Sequence, residues 1–154
     1  MNFEEYVGIL NRKIVRIPKE KIVFVCIGNS NVIWDSIGPK IGSYLKEKAS
    51  VKNIYGDIKS NICSMWDIIK IYPKIRNKYI IAIDTAICDS NLNGKIFINN
   101  NPIVMGRAIG RNNGIIGDLS IKIGISKFYI NKLDLNFIEE KVKLMGKIIN
   151  NVKV

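Results

Sequence analysis

Histidine is absent from this 154-residue chain. That absence excludes a Ser-His or Cys-His nucleophile pair and an imidazole general base, and it removes the commonest metal ligand. Cysteine is scarce: Cys26, Cys63 and Cys88 form an odd set without C-x-x-C spacing, which argues against a disulfide framework and against structural zinc. Cys88 taken as a nucleophile would have no histidine to activate it, so a structural thiol is the plainer reading. Acidic side chains are few, 13 against 24 lysines and arginines, for a net charge of +11. No apolar run approaches the roughly 20 residues of a membrane span. The acidic start, Met1 to Glu5, lacks the basic and apolar stretches of a signal peptide. These features predict a soluble, cytoplasmic protein with no membrane partner.

What is abundant is isoleucine (32), lysine (19) and asparagine (18). The lysines are scattered, with no block of like charges, so nucleic acid is not indicated as the main partner. An acidic peptide or protein is electrostatically compatible with the charge. The length predicts a single domain over 1–154, and self-association is left open.

Hydrophobic periodicity predicts the elements. Phe3, Tyr6, Val7 and Leu10 mark a short helix over 3–10, with a connector over 12–21. Ile22 to Ile27 and Tyr79 to Ile83 are continuous β-branched runs that read as buried parallel strands. A helix capped by Asp35 or Ser36 carries Ile37, Ile41 and Leu45 inward, with Pro39 in its first turn. A weak strand is expected over 54–58. A helix over 62–72 should face Ile62, Met65, Trp66, Ile69 and Tyr72 inward and stop at Pro73. Strands follow over 95–98 and, half-buried, over 119–125. Between them lies a glycine-rich basic loop, Gly106 to Gly117. Phe128 to Ile130 offers one more pairing segment, and a last helix from Asp134 turns Leu135, Ile138, Val142, Met145 and Ile149 inward. The alternation of strands and helices predicts an α/β fold, a three-layer sandwich on a mainly parallel, mixed sheet.

Two aspartates stand out. Asp35 follows the first buried run and Asp84 ends the second. In open parallel sheets chemistry gathers beyond the carboxyl ends of the strands. Two carboxylates meeting there would share a proton and so supply an acid and a base from one residue type. The plain alternatives are a helix cap for Asp35 and a turn residue for Asp84. Arg107 and Arg111, on the glycine-rich loop, are candidates to clamp a carboxylate or cover the site. Asp57 reads better as a turn residue than as a third acid. No phosphate-binding glycine motif is present.

The segment Gly28-Asn29-Ser30-Asn31-Val32-Ile33-Trp34-Asp35-Ser36-Ile37-Gly38-Pro39 resembles the first signature of the spore germination proteases. Ile81 to Ala86 is similar to their second. In that family two aspartates are the proposed catalytic pair, which the motifs place at Asp35 and Asp84; Trp34 stands where the family has proline. Cys26-Ile27-Gly28, Asp35 to Pro39, Tyr55-Gly56 and Gly117 to Ile121 resemble the small YyaC-like sporulation proteins even more closely. The resemblance implies the phosphorylase/hydrolase-like fold of the hydrogenase maturation proteases. It also implies a cytoplasmic role in sporulation, in mother cell or forespore, and a protein or peptide substrate cut without a cofactor. Asn29, Asn31 and Trp34 join Arg107 and Arg111 as expected substrate contacts. The maturation proteases bind nickel through two acidic residues and a histidine, and this chain has no histidine. Two rival readings stand beside the peptidase: a non-catalytic binding or assembly module, with Trp34 lining a partner pocket, and a hydrolase using a hard cation held by Asp35, Asp84 and waters.

Overall fold

The two β-branched runs become neighbouring parallel strands in the computed structural model, which describes residues 1–48 and 52–152. Along the chain the elements are α1 (Phe3–Ile14), β1 (Ile22–Cys26), α2 (Ile37–Lys48), β2 (Ile54–Tyr55), α3 (Met65–Ile75), β3 (Tyr79–Cys88), β4 (Ile96–Asn99), β5 (Ile103–Val104), β6 (Ile115–Ile116), β7 (Leu119–Ser126) and α4 (Leu135–Asn150). The main sheet has the order β2-β1-β3-β7-β4. Its first four strands are parallel and β4 runs antiparallel to β7. This is the mainly parallel mixed sheet that the alternation of elements predicted.

Side-chain alternation along the strands divides the core between two faces. Phe24, Ile81, Ile83, Ile121 and Ile123 pack under α1, α2 and α4. Val23, Val25, Ile27 and Ala82 pack against Ile68 and Ile75 of α3 and against the small hairpin β5–β6. Helices on one face, sheet, and helix with hairpin on the other make three layers. After β1 the chain steps to β2 on one side and then returns to β3 on the other. This reversal of strand order opens a crevice at the carboxyl ends of β1 and β3.

Several expectations are corrected. α1 runs on to Ile14 because Leu10 and Ile14 continue its buried stripe, and Arg12 and Lys13 in its last turn suit the helix dipole. β2 covers only Ile54–Tyr55. α3 spans Met65–Ile75 with Pro73 inside it: the proline lies exposed, and Ile75 beyond it is buried and anchors a further turn. The inward stripe of α3 is Ile68 and Ile75, so Met65, Trp66, Ile69 and Tyr72 face outward. Two apolar stripes run along this helix, and periodicity alone does not choose between them. Leu135 is likewise exposed at the start of α4, whereas Ile138, Val142, Met145 and Ile149 are buried as expected. β7 is buried along nearly its whole length, because Leu119, Ile121, Ile123 and Ile125 pack under the helices while β4 and the turn before it cover Ser120, Gly124 and Ser126. Residues 128–130 form a turn, and the expected loop over 106–117 includes β6 paired antiparallel with β5.

Candidate active site

β1 pairs with β3 only as far as Cys26 opposite Ile83, while β3 continues alongside β7 to Cys88. Asp84 therefore stands inside a strand, not at its end, on an edge that β1 has just vacated. The ladder holds it there: Asp84 lies directly across from Lys122 of β7. Into the vacated space runs the segment after β1. Gly28 takes φ +146° and passes so close to the Asp35 carbonyl that a Cβ at this position would collide with it. The chain then makes a 3-10 turn over Ile33–Asp35 before entering α2.

Ser36 stands just before α2 and its carbonyl accepts the Lys40 N–H at 3.0 Å, while the side chains of Asp35 and Ser36 make other bonds. The Asp35 Oδ2 accepts the Asn29 N–H at 2.9 Å, and the Ser36 hydroxyl donates to the Ile33 carbonyl at 2.7 Å. Asn29 Oδ1 in turn accepts the Asn31 N–H at 2.9 Å. The loop is thus braced against the carboxylate, which it orients toward the crevice.

The crevice is a cleft of about 640 Å3. Asp35, Asp84, Thr85, Cys63, Arg107 and Lys122 supply its polar groups, and Val32, Trp34, Ile87, Ile103 and Ile109 its apolar walls. Burial pushes the Asp35 carboxyl up to about 6, against the opposing pull of the Asn29 N–H and the Thr85 hydroxyl. Among the described residues Thr85 Oγ1 is the buried side-chain polar atom without a well-formed hydrogen bond. It nevertheless sits near enough to Asp35 to favour the ionised form, so the contact is a loose one. Asp84 is pushed well above the usual carboxylate range, chiefly by burial and then by the charge of Asp35. The Thr85 N–H, 2.7 Å from Asp84 Oδ1, and the Lys122 ammonium oppose that rise. Asp84, the more deeply buried of the two, therefore holds its proton more tightly than Asp35.

Cys63 sits in the same cleft, with its Sγ donating to the Gly28 carbonyl at 3.1 Å. Burial, helped by the charges of Asp35, Asp67 and Asp84, pushes its thiol up to about 11. A neutral thiol is a poor nucleophile. Cys63 is expected to react with iodoacetamide at about pH 8 at least about tenfold more slowly than free cysteine, as read by intact-mass labelling; alkylation at the free-thiol rate would show a thiolate. The donor set does not fit nickel. The chain has no histidine, Cys63 holds its proton, and among the described residues no three Cys, Asp or Glu side chains group as a metal site would need.

The structure brings Asp35, Asp84, Asn29, Trp34 and Arg107 of the expected residues to the cleft. It does not bring Asn31 or Arg111. Asn31 contributes only its backbone N–H, to Asn29. Arg111 follows the left-handed Gly110, and its exposed side chain leaves the cleft while its N–H bonds the Gly106 carbonyl. Asp57 is the turn residue expected: it accepts the Lys59 and Ser60 N–H groups and pairs with Lys46 at 2.6 Å. Sequence reasoning missed Lys122, Thr85, Cys63 and Asn113. A lysine between two isoleucines of a buried strand was a legible signal for the first. The others reach the cleft through strand register and loop packing, which leave no mark in the sequence.

A family model described as "Protein of unknown function (DUF1256)" matches residues 1–151. The chain is similar to the uncharacterized protein YyaC of Bacillus subtilis (strain 168), 28% identical over 126 residues, which covers 78% of this chain and 62% of that protein. It thus spans less than two thirds of that relative's length. Among solved structures it is similar to the NiFe hydrogenase maturation protease HybD from Thermococcus kodakarensis, at 14% identity and TM-score 0.44, over 83% of this chain and 98% of that one. The NiFe hydrogenase maturation protease HycI from Thermococcus kodakarensis KOD1 is similar at 16% identity and TM-score 0.44, over 84% and 92%.

Proposed function

The chain belongs to the DUF1256 family along almost its whole length, and from that premise we propose that its cleft hydrolyses a peptide bond with the aspartate pair, as an endopeptidase of the germination-protease type. One observation carries the reading: two carboxylates from separate elements face one cleft, and burial raises Asp84 well above the usual range while Asp35 is held at about 6. Ionised Asp35 takes a proton from water as the oxygen attacks the scissile carbonyl carbon. Protonated Asp84 gives its proton to the carbonyl oxygen, so the tetrahedral intermediate forms without net charge. On collapse the proton on Asp35 passes to the leaving nitrogen, the C–N bond breaks, and the hydroxyl proton returns to Asp84. Lys122 supports the cycle, because its ammonium offsets the charge that Asp84 acquires on giving up its proton. Val32, Trp34, Ile103 and Ile109 exclude water and hold an extended peptide.

The resemblance of the first motif to the germination proteases supports a role in sporulation, in the cytoplasmic compartments of a spore-forming cell, with the whole chain acting as one unit. The test compares purified protein with its Asp35→Asn/Asp84→Asn variant in spore-core extract, reading new peptide termini by mass spectrometry. Discrete termini made by the wild type alone support the peptidase. Equal patterns from two folded proteins remove it. In this mechanism the two aspartates act on water directly, so cleavage is expected to persist unchanged in about 5 mM EDTA, a concentration that strips exposed hard-cation sites; loss on chelation with recovery on adding magnesium or calcium would replace the metal-free mechanism.

The apolar walls favour a second reading, a binding module that holds a peptide without turnover. Asp35→Asn separates the two, since it should abolish cleavage and leave such binding intact.

A further inference from the structure

The outward stripe of α3 is an apolar surface with no partner among the described residues. Trp66, Ile69 and Tyr72 are 77%, 58% and 56% exposed. Their spacing of three puts them along one side of the helix, away from the buried Ile68 and Ile75. Pro73, also exposed, continues the stripe. At its N-terminal end Met65 packs on Gly114 and donates its N–H to the Asn113 carbonyl. Asn113 lines the cleft, so the stripe begins at the cleft wall.

One edge of the stripe is basic. Lys70 and Lys74 are exposed one turn apart on the same helix. The ion pairs among the described residues involve Lys40, Lys46 and Lys127, not these two. Asp67, the only acidic residue of α3, turns its carboxylate back to accept the Cys63 and Ser64 N–H groups. The surface therefore presents aromatic and aliphatic anchors beside two unneutralised ammonium groups.

We propose that this face of α3 docks an amphipathic helical segment of another protein, one with an apolar seam for Trp66, Ile69 and Tyr72 and an acidic edge for Lys70 and Lys74. Exposed Trp and Tyr at the centre of a patch are the residue types that anchor such contacts. Charge complementarity selects the occupant. A second copy fits poorly, because an antiparallel two-fold pairing sets the lysine edge against itself, between chains that each carry +11. The docked segment would lie beside the cleft, yet the docking does not depend on turnover there.

The full chain is titrated with two synthetic helical peptides that share a leucine seam and differ in one edge, glutamate or lysine. The wild type is expected to bind the glutamate-edged peptide at least about tenfold more tightly. Lys70→Glu/Lys74→Glu should reverse that preference, and Trp66→Ala should weaken the preferred peptide by about tenfold or more. All three positions are exposed, and circular dichroism checks that the variants fold. A preference that survives charge reversal, indifference to Trp66→Ala, or binding of neither peptide overturns the proposal. So does a concentration-dependent dimer in sedimentation that Ile69→Asp abolishes, since it would give the face to a second copy.

Discussion

Asp35→Asn and Asp84→Asn are each expected to lower peptide-bond cleavage by about a thousandfold or more while leaving the chain folded. Loss of a positioned general base or acid costs roughly 10²–10⁴-fold. Asparagine keeps the shape, and its Oδ1 still accepts the Asn29 N–H that Asp35 accepts now. The double variant should be little worse than either single one, because the two carboxylates act as a unit. The same groups set a pH dependence. Activity requires Asp35 ionised, so the acidic limb should lie near 6, where burial places that carboxyl. The basic limb should follow loss of the proton that Asp84 holds.

Stability moves the other way. In the unfolded chain Asp35 titrates near the ordinary 3.8, and in the folded chain near 6. Between those values the folded state binds more protons, so stability falls as pH rises through that window. Discounted for the solvent the cleft admits, the Asp35 contribution is on the order of 1–2 kcal/mol. Asp35→Asn should remove it, making urea midpoints less steep between about pH 4 and pH 6, with the remaining slope belonging to Asp84, and matching or exceeding wild-type stability at about pH 7. A variant that cleaves at the wild-type rate would take Asp35 out of the chemistry. A variant that unfolds at neutral pH would make the carboxylate structural.

Gly38→Ala is expected to cost about 2–4 kcal/mol of stability and to abolish function at the cleft with it. α2 crosses the end of β1 so closely that a Cβ at residue 38 would overlap the Ile27 carbonyl, which is backbone and cannot move aside as a side chain can. A methyl group there lifts the start of α2 off the strand. Asp35, three residues upstream on the same rigid turn, moves with it and loses its place opposite Asp84. Gly8→Ala in α1 is the control of opposite sign. Its Cβ would meet only the far end of the Arg12 side chain, and alanine favours a helix by up to about 1 kcal/mol over glycine. Urea midpoints at one pH compare the two. If Gly38→Ala matched wild type, the close packing of α2 on β1 would not be what seats Asp35.

Much of this was legible in the residues. The two continuous β-branched runs could be satisfied only as strands buried on both faces, and Asp35 and Asp84 follow them so closely that the carboxyl edge of the sheet was a natural meeting place. Gly38 stood in the Asp-Ser-Ile-Gly-Pro segment only as part of a motif, and the packing of α2 on the Ile27 carbonyl supplies its physical reason. Where the reading failed, the sequence was ambiguous in a definable way. α3 carries apolar residues at helical spacing on two sides, and only contact with Val23, Val25 and Ile27 shows which side is core. Leu119 to Ile125 read as half-buried because residues alternate, but the second face, carrying Ser120, Gly124 and Ser126, is covered by β4 and the turn before it.

The amino-acid order alone determined the types of the long helices and strands, the two-aspartate motif and the exclusion of histidine chemistry, because these depend on local propensity and on which side chains exist. Tertiary structure alone decided that Asp84 lies within a ladder opposite Lys122, that Cys63 and Thr85 share its cleft, and that Asn31 and Arg111 do not. It also decided that Trp66 faces solvent. Those outcomes follow from strand register and helix docking, where one residue of slip or a half-turn of rotation changes every neighbour while the sequence stays the same.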